Sequence, residues 1–139
     1  MNLLNSDGEE YSIRVAEYTC KKMGGKSSLH LAAYEVLHEL FPFENILQEI
    51  PARCGDKLLY LDLLVPSIKL GVECHGRQHY EFNPHFHKNI FEFYKAVRRD
   101  KMKTEWAEVN GIDLITIRFD EDPQERITAY VEGVNKVLD

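Results

Sequence analysis

Two acidic side chains interrupt an otherwise apolar stretch of the chain, residues 58–80 (LLYLDLLVPSIKLGVECHGRQHY). The stretch predicts two strands joined by a short turn. If Ser67 and Ile68 form the centre of that turn, Asp62 lies directly opposite Glu73 on the neighbouring strand. Like charges at opposed positions destabilise a sheet, and desolvation costs roughly several kcal/mol for each carboxylate. The pattern therefore predicts a cation between the acids, most simply a divalent metal ion, unless both acids turn to solvent at a sheet edge.

Neighbouring residues supply further groups for hydrolytic chemistry. The backbone carbonyl of Cys74 is well placed as another oxygen ligand, and Mg²⁺ prefers carboxylate, water and phosphate oxygens. His75 is predicted on the same face as Glu73, where it is either a general base for an attacking water or a structural histidine. His79 either contacts a phosphate or protonates a leaving oxygen, or else forms hydrogen bonds within a loop.

A predicted long helix, residues 89–109, carries a cluster of five of the 17 lysine and arginine side chains. Lys103 lies one turn from Asp100 and is either a surface cation or the fixed positive charge that a pentavalent phosphate needs. The helix also contains the other members of a basic cluster that would hold a phosphate backbone, namely Lys95, Arg98, Arg99 and Lys101.

Two other features allow different interpretations. Glu35 lies at the edge of the apolar face of a predicted helix over residues 29–40, and is either solvated or directed towards the acids. His85 and His87, together with His79 and Cys74, would offer ligands for a zinc ion. Only one cysteine is within reach and no C-x-x-C pair is present, so the zinc interpretation is disfavoured.

Composition places the chain among single globular domains. It has 139 residues, of which 44% are hydrophobic and 29% charged. The net charge of -6 argues against indiscriminate nucleic-acid binding, although a local basic face is enough to hold DNA. No apolar run approaches the roughly 20 residues that span a membrane, and the first residues do not resemble a signal peptide. The three cysteines are expected to be reduced thiols in a cytoplasmic compartment.

The hydrophobic pattern predicts a mixed α/β fold in which helices flank a sheet. Leu59, Leu61, Leu63 and Val65 are expected to share one face of the strand that carries Asp62. The remaining predicted elements are helices over residues 9–23, 29–40, 89–109 and 123–138, strands over residues 45–50 and 113–119, and loops over residues 52–57 and 81–88.

The ordered motifs resemble the PD-(D/E)xK nuclease superfamily. Asp62 is followed by the segment ECHGRQHY (residues 73–80), then by D-x-x-K (residues 100–103) and by GI-x-LI-x-IR (residues 111–118). Within the superfamily the chain is most similar to the branch of very-short-patch-repair endonucleases and their phage and giant-virus relatives. The resemblance covers residues 27–119, preceded by a helical extension over residues 1–26 and followed by a C-terminal helix over residues 120–139.

The resemblance implies a restriction-endonuclease-like fold with a four-stranded mixed sheet, and Mg²⁺-dependent cleavage of phosphodiester bonds in DNA, with Mn²⁺ as a substitute. It implies that Asp62 and Glu73 hold the metal and that Glu35 reaches metal-bound water. His75 stands where the superfamily has the lysine of its E-x-K element. Lys103 would then supply the missing charge from the helix, or the site has decayed.

The resemblance also sets expectations about partners. Arg77 and Gln78 would contact the DNA together with the basic helix, and no membrane is involved. Cleavage specificity would come from the loops, from a homodimer or from a larger nuclease complex. The expected location is the cytoplasm, or the host cytoplasm if the protein is encoded by a phage. The alternative function is that of a catalytically decayed nuclease fold that binds DNA or a protein partner.

Overall fold

The computed structural model describes residues 1–19 and 26–138, with the side chains of the last helix described up to residue 133. The strands are β1 (Asn2–Leu4), β2 (Glu10–Ser12), β3 (Leu47–Cys54), β4 (Lys57–Val65), β5 (Leu70–His75) and β6 (Asp113–Arg118). The helices are α1 (Val15–Thr19), α2 (Ser28–Leu40), α3 (Ile90–Val109) and α4 (Pro123–Leu138). Short 3₁₀ turns follow β4 (Pro66–Ile68) and β5 (Arg77–His79).

The central element is a four-stranded sheet in the order β3-β4-β5-β6. Its first two pairings are antiparallel, whereas β5 and β6 are parallel. Parallel neighbours need a long crossover, and α3 provides it between β5 and β6. The predicted α/β class with a mixed four-stranded sheet flanked by helices is therefore confirmed.

Two apolar cores lie against this sheet. One contains Trp106 and Ala107 of α3 together with Leu61 and Leu64 of β4. The other contains residues of α2 and α4, and Leu63, Val65, Leu70 and Val72 of the central strands. The sheet therefore has one face covered by α3 and an opposite face covered by α2 and α4.

The register between β4 and β5 is the one that the sequence predicts. Leu63 pairs with Val72 and Val65 pairs with Leu70. The connection is a 3₁₀ turn, which Lys69 closes in a left-handed conformation (φ 52°). Regular pairing stops after Leu63, one residue before Asp62 would face Glu73.

The expected alternation along β4 is wrong at Asp62. Leu61 packs in the core beneath α3, whereas Leu63 packs in the opposite core. On β3, Gln48 pairs with Leu63 and Ile50 pairs with Leu61, but the intervening Glu49 and Asp62 do not form a regular pair. Glu49 has a left-handed backbone (φ 51°). Because the ladder is interrupted there, the strand changes the face on which its side chains lie.

The predictions for α2, α3, α4 and β6 are confirmed to within one residue at each end. Ser27 caps α2 by accepting a hydrogen bond from the His30 amide (3.1 Å), and Gly111 follows α3 with φ 65°. The predicted strand over residues 45–50 begins later and ends later, at Leu47–Cys54. Pro51 is tolerated within it because β3 is an edge strand.

The predicted helix over residues 9–23 is wrong over its first half. Residues 10–12 form β2, which pairs with β1, and the helix α1 spans Val15–Thr19. Leu3 and Tyr11 are buried in the core beneath α3, so tertiary contacts favour the hairpin. Residues 20–23 of the predicted helix, which include Cys20, lie outside the described residues. Cys54 and Cys74 are free thiols.

Candidate active site

The candidate site lies where β4 and β5 separate. The carboxylate of Asp62 accepts a hydrogen bond from the backbone amide of Cys74 through Oδ2, at 2.8 Å. This contact takes the place of a ladder hydrogen bond, because regular pairing ends at Leu63. Glu73, only 3% exposed, lies next to Cys74 on β5. The two predicted acids are therefore neighbours, as the register requires.

A protein cation sits beside these acids. Lys103 Nζ lies 2.7 Å from Glu73 Oε1, and the lysine side chain is 14% exposed. The same ammonium group donates a hydrogen bond to the Tyr60 carbonyl at 3.2 Å. The sequence predicted a cation beside the acids, most simply a divalent metal ion, and Lys103 supplies one positive charge there.

The charges of this cluster depend on one another. Burial, followed by the charge of Asp62, holds the pKa of Glu73 well above its ordinary value, and Lys103 offsets only part of that shift. Burial would lower the pKa of Lys103, but the carboxylates around it, led by Glu73, raise it on balance. Lys103 is thus charged, while Glu73 is poised to take up a proton when no further cation is near.

Two histidines and an aspartate form a second group next to the first. The rings of His75 and His79 are stacked, with centroids 4.1 Å apart and planes 6° from parallel. His79 Nδ1 lies 2.8 Å from Asp100 Oδ2, and His75 Nε2 lies 3.8 Å from Asp100 Oδ1. Asp100 and Lys103 come from one face of α3, so this helix supplies part of both groups.

Protonation assigns different roles to the two rings. Burial would raise the pKa of Asp100, but its hydrogen bond with His79 and the nearby cations lower it on balance, so the carboxylate is ionised. His79 therefore donates Nδ1–H to Asp100, which leaves its Nε2 to accept a proton. Burial is the main reason that the pKa of His75 falls to about 4, so this ring is neutral at pH 7.

The first group offers oxygen donors to a metal ion. Asp62, Glu73 and the Cys74 carbonyl are oxygen donors of the type that Mg²⁺ prefers, although Lys103 competes for Glu73 Oε1. Glu73 Oε1 already has the Lys103 ammonium group at 2.7 Å, so a metal ion at this oxygen would share it with Lys103 or displace the ammonium group. The oxygen set fits a hard divalent cation in donor type.

The histidine group fits a metal less well. Ligand atoms of His75, His79 and Asp100 lie within 4.8 Å of one another, a set of nitrogen and oxygen donors that transition metals accept. However, the lone pairs of stacked rings run parallel in their ring planes instead of converging on one point. The rings would have to tilt before both could bind the same ion.

The remaining predicted site residues are more dispersed. Arg77 and Gln78 lie in the 3₁₀ turn that follows β5, beside the site. Glu35 is exposed on α2 and does not belong to either group. Arg98, Arg99 and Lys101 are exposed on α3. Because each helical residue adds about 100° of rotation, Lys101 points roughly away from Lys103.

The zinc set drawn from the loop histidines is not assembled. His87 is buried, accepts a hydrogen bond from the Asn83 amide at 3.0 Å and packs edge-on against Phe93. His85 is exposed. Neither histidine belongs to a metal-ligand group within residues 1–19 and 26–138. His87 is thus a structural residue of the loop.

The sequence analysis assigned no role to two residues that contact the histidines, Asp100 and Tyr80. Asp100 was recognised only as part of a motif, yet it orients His79 at 2.8 Å. Tyr80 Oη lies 3.2 Å from His75 Nδ1 and holds the ring from its other side. The D-x-x-K spacing was the available signal for Asp100, because residues three apart share a helix face.

No family model and no solved structure matches this chain. It is 42% identical over 65 residues to the uncharacterized protein 307L of Invertebrate iridescent virus 6, which is 47% of this chain and 33% of that protein. It is 39% identical over 61 residues to the uncharacterized protein 033L of Invertebrate iridescent virus 3, which is 44% of this chain and 31% of that protein. The chain thus matches about a third of the length of these viral relatives. Within the described residues, no helix has the length and apolar character needed to cross a membrane.

Proposed function

We propose that the protein is a metal-dependent endonuclease that hydrolyses phosphodiester bonds in DNA. One observation carries the proposal: the carboxylates of half-buried Asp62 and buried Glu73 meet an aspartate-oriented histidine and Lys103 where two strands part. Buried charged groups are costly unless they are paired or bind a ligand. Their concentration at one strand end favours a catalytic role over a structural one.

Mg²⁺ or Mn²⁺ bound here would polarise the scissile phosphate and lower the pKa of an attacking water. Asp62, Glu73 and the Cys74 carbonyl are the residues that would hold it. Such a metal ion would compete with Lys103 for Glu73, and the ammonium group of Lys103 would then be available to the phosphate. A fixed cation near the phosphate stabilises the negative charge that develops in the transition state.

Proton transfer is assigned to His79 in this proposal. Its Nδ1–H is tied to Asp100, so Nε2 is oriented as an acceptor in the manner of other carboxylate–histidine pairs. The sequence favoured His75 as the base. Because its pKa is lowered to about 4, His75 is a weak base, and stacking against His79 is the role that its geometry supports.

Contacts with the DNA would come first from the turn after β5. The Arg77 side chain is 62% exposed, lies over the Phe119 ring at 4.4 Å and has Glu81 Oε1 at 3.4 Å, so a DNA phosphate would compete with that exposed carboxylate for the guanidinium group. Arg98, Arg99 and Lys101 would contact only more distant phosphates of a longer duplex. The net charge of -6 agrees with such a small basic footprint.

Nicking of supercoiled plasmid with Mg²⁺ or Mn²⁺ tests the proposal. We expect cleavage by the wild type, its loss in chelator, and a decrease of about 100-fold or more in Asp62→Asn and Glu73→Gln. Glu39→Gln, on the exposed end of α2, is the matched control and should cleave normally. Equal cleavage by all three variants would contradict the assignment.

A second function is favoured by the Lys103–Glu73 ion pair. Because a protein cation already compensates Glu73, the site is stable without metal, as it would be in a decayed nuclease fold that binds DNA or a protein partner. That function predicts DNA or protein binding that is indifferent to divalent ions. Calorimetry that detects no Mg²⁺ or Mn²⁺ binding, together with retained DNA binding, would favour it.

A further inference from the structure

A cavity of about 690 Å³ adjoins the candidate site on the opposite side of β5. Cys74 lines it, and its Sγ lies 3.9 Å from the carbonyl of Leu29 at the start of α2. Cys74 packs with the core of α2 and α4, whereas the flanking Glu73 pairs with Lys103 of α3. Only the backbone of one strand therefore separates the cavity from the candidate catalytic groups.

The lining of this cavity is neutral, aromatic and polar. Phe86, which is 59% exposed, and Phe119 provide aromatic surfaces. Ser27, Ser28 and Gln78 provide hydroxyl and amide groups, and none of the described lining residues is charged. The volume falls within the range of about 300–1,000 Å³ that small-molecule sites occupy. Such a lining suits a flat heterocycle with donors and acceptors on its edge better than it suits a phosphate.

The cavity and the candidate catalytic groups adjoin at Gly76, directly after the end of β5. A side chain at this position would collide with the amide of Gln78, so that amide lies directly against the glycine. Gln78 thus stands at the rim, between the histidines and the cavity. A DNA strand that passes over Gly76 would place a phosphate on one side of β5 and a neighbouring base on the other.

We propose that this cavity binds one unpaired nucleobase of the substrate strand, next to the phosphate that is cut. The inference rests on the proposed nuclease function. Phe86 and Phe119 stack on the base, and the Gln78 amide forms hydrogen bonds with its edge. Because a nucleotide without a pairing partner costs least to extrude, the preferred substrate is DNA with a single-stranded or bulged nucleotide at the cleavage site.

Fluorescence anisotropy with labelled oligonucleotides tests this assignment. Asp62→Asn protein is titrated with a fully paired duplex and with the same duplex carrying a one-nucleotide bulge. We expect the bulged duplex to bind more tightly. Phe86→Ala and Gln78→Ala should each reduce that preference, by about five- to hundredfold for the loss of the base–aromatic stack. Ser28→Trp, which fills the cavity without removing a wall, should abolish it.

Phe43→Ala is the control, because Phe43 is 97% exposed and does not line the cavity. It should keep the full preference for the bulged duplex. Equal binding of the two duplexes by Asp62→Asn protein, or a preference that survives in all three cavity variants, would overturn the cavity assignment even if plasmid nicking persists. Absence of both nucleic-acid binding and metal-dependent nicking would instead overturn the proposed nuclease function.

Discussion

Two neighbouring parts of the C-terminal half of α3 treat polar groups in opposite ways. In the last turn, its structural end, Trp106 Nε1 donates to Tyr11 Oη at 3.1 Å, and that hydroxyl donates to the Pro51 carbonyl at 2.7 Å. In the two turns before it, its reactive end, Lys103 and Asp100 face buried groups that include His75 Nε2, an atom without a hydrogen bond among the described residues. Unpaired buried groups cost about 1–3 kcal/mol each. The comparison teaches that this half of α3 stabilises the fold through its structural end and holds a reactive cluster through its reactive end.

The largest expected effect comes from a pair of lysines on this helix. Lys103→Met removes the cation beside Glu73 and should lower plasmid nicking by about 100-fold or more, because charge on the phosphate is then uncompensated. Lys101→Met removes a lysine on the outer side of the same helix and should leave nicking close to wild type. A similar loss in both variants would show that general DNA affinity, not the site, is responsible.

The next effect concerns the orientation of His79. Asp100→Asn keeps the shape but loses the charged acceptor at 2.8 Å, and we expect nicking to fall by about 10- to 100-fold. Asp56→Asn, in the exposed turn between β3 and β4, is the control for the loss of one negative charge. Nicking rates at several pH values provide the measurement. An unaltered rate and pH profile in Asp100→Asn would contradict the role assigned to His79.

The structural end of α3 should respond in stability alone. Tyr11→Phe leaves Trp106 Nε1 buried without its acceptor, so the free energy of unfolding in urea should fall by about 1–3 kcal/mol. Nicking at a temperature where the variant is folded should remain at the wild-type rate. A loss of nicking without a loss of stability would mean that the two ends of α3 are not separate in function.

The most gradual effect is a pH dependence of stability that originates at the reactive end. The pKa of His75 is lowered from 6.5 to about 4, so the unfolded chain binds a proton in that interval and the folded protein does not. Stability should thus fall as pH drops from 6.5 towards 4, by about 1.4 kcal/mol per pH unit at most. His75→Gln should flatten this slope, whereas His85→Gln should not. An identical slope in both variants would exclude His75 as its source.

Much of the fold follows from local signals in the sequence. Ser27 and Asn89 cap α2 and α3 as hydroxyl and amide side chains commonly do, and Gly111 accepts the left-handed conformation that ends α3. The turn at Pro66–Ile68 sets the register, which brings Asp62 next to Glu73. These features depend on neighbours in the chain, and so they are predictable.

The rest depends on contacts between distant segments. The hairpin of β1 and β2 is too short to show a period, and Tyr11 joins it to β3 through the Pro51 carbonyl. Nothing in the residue type of Glu49 indicates its left-handed backbone, which interrupts the ladder at Asp62. Lys103 reaches Glu73 because Trp106 fixes how α3 lies on the sheet. Such tertiary distances are not encoded in any short segment.

Mn²⁺ binding measured by calorimetry tests the central claim most directly, because it asks whether the buried acids bind a metal without relying on turnover. The wild-type protein should bind Mn²⁺, and Asp62→Asn and Glu73→Gln should lose that binding while remaining folded. Tyr11→Phe, altered only at the structural end of α3, should bind as the wild type does. Binding that is absent from the wild type, or undiminished in both acid variants, would contradict the account.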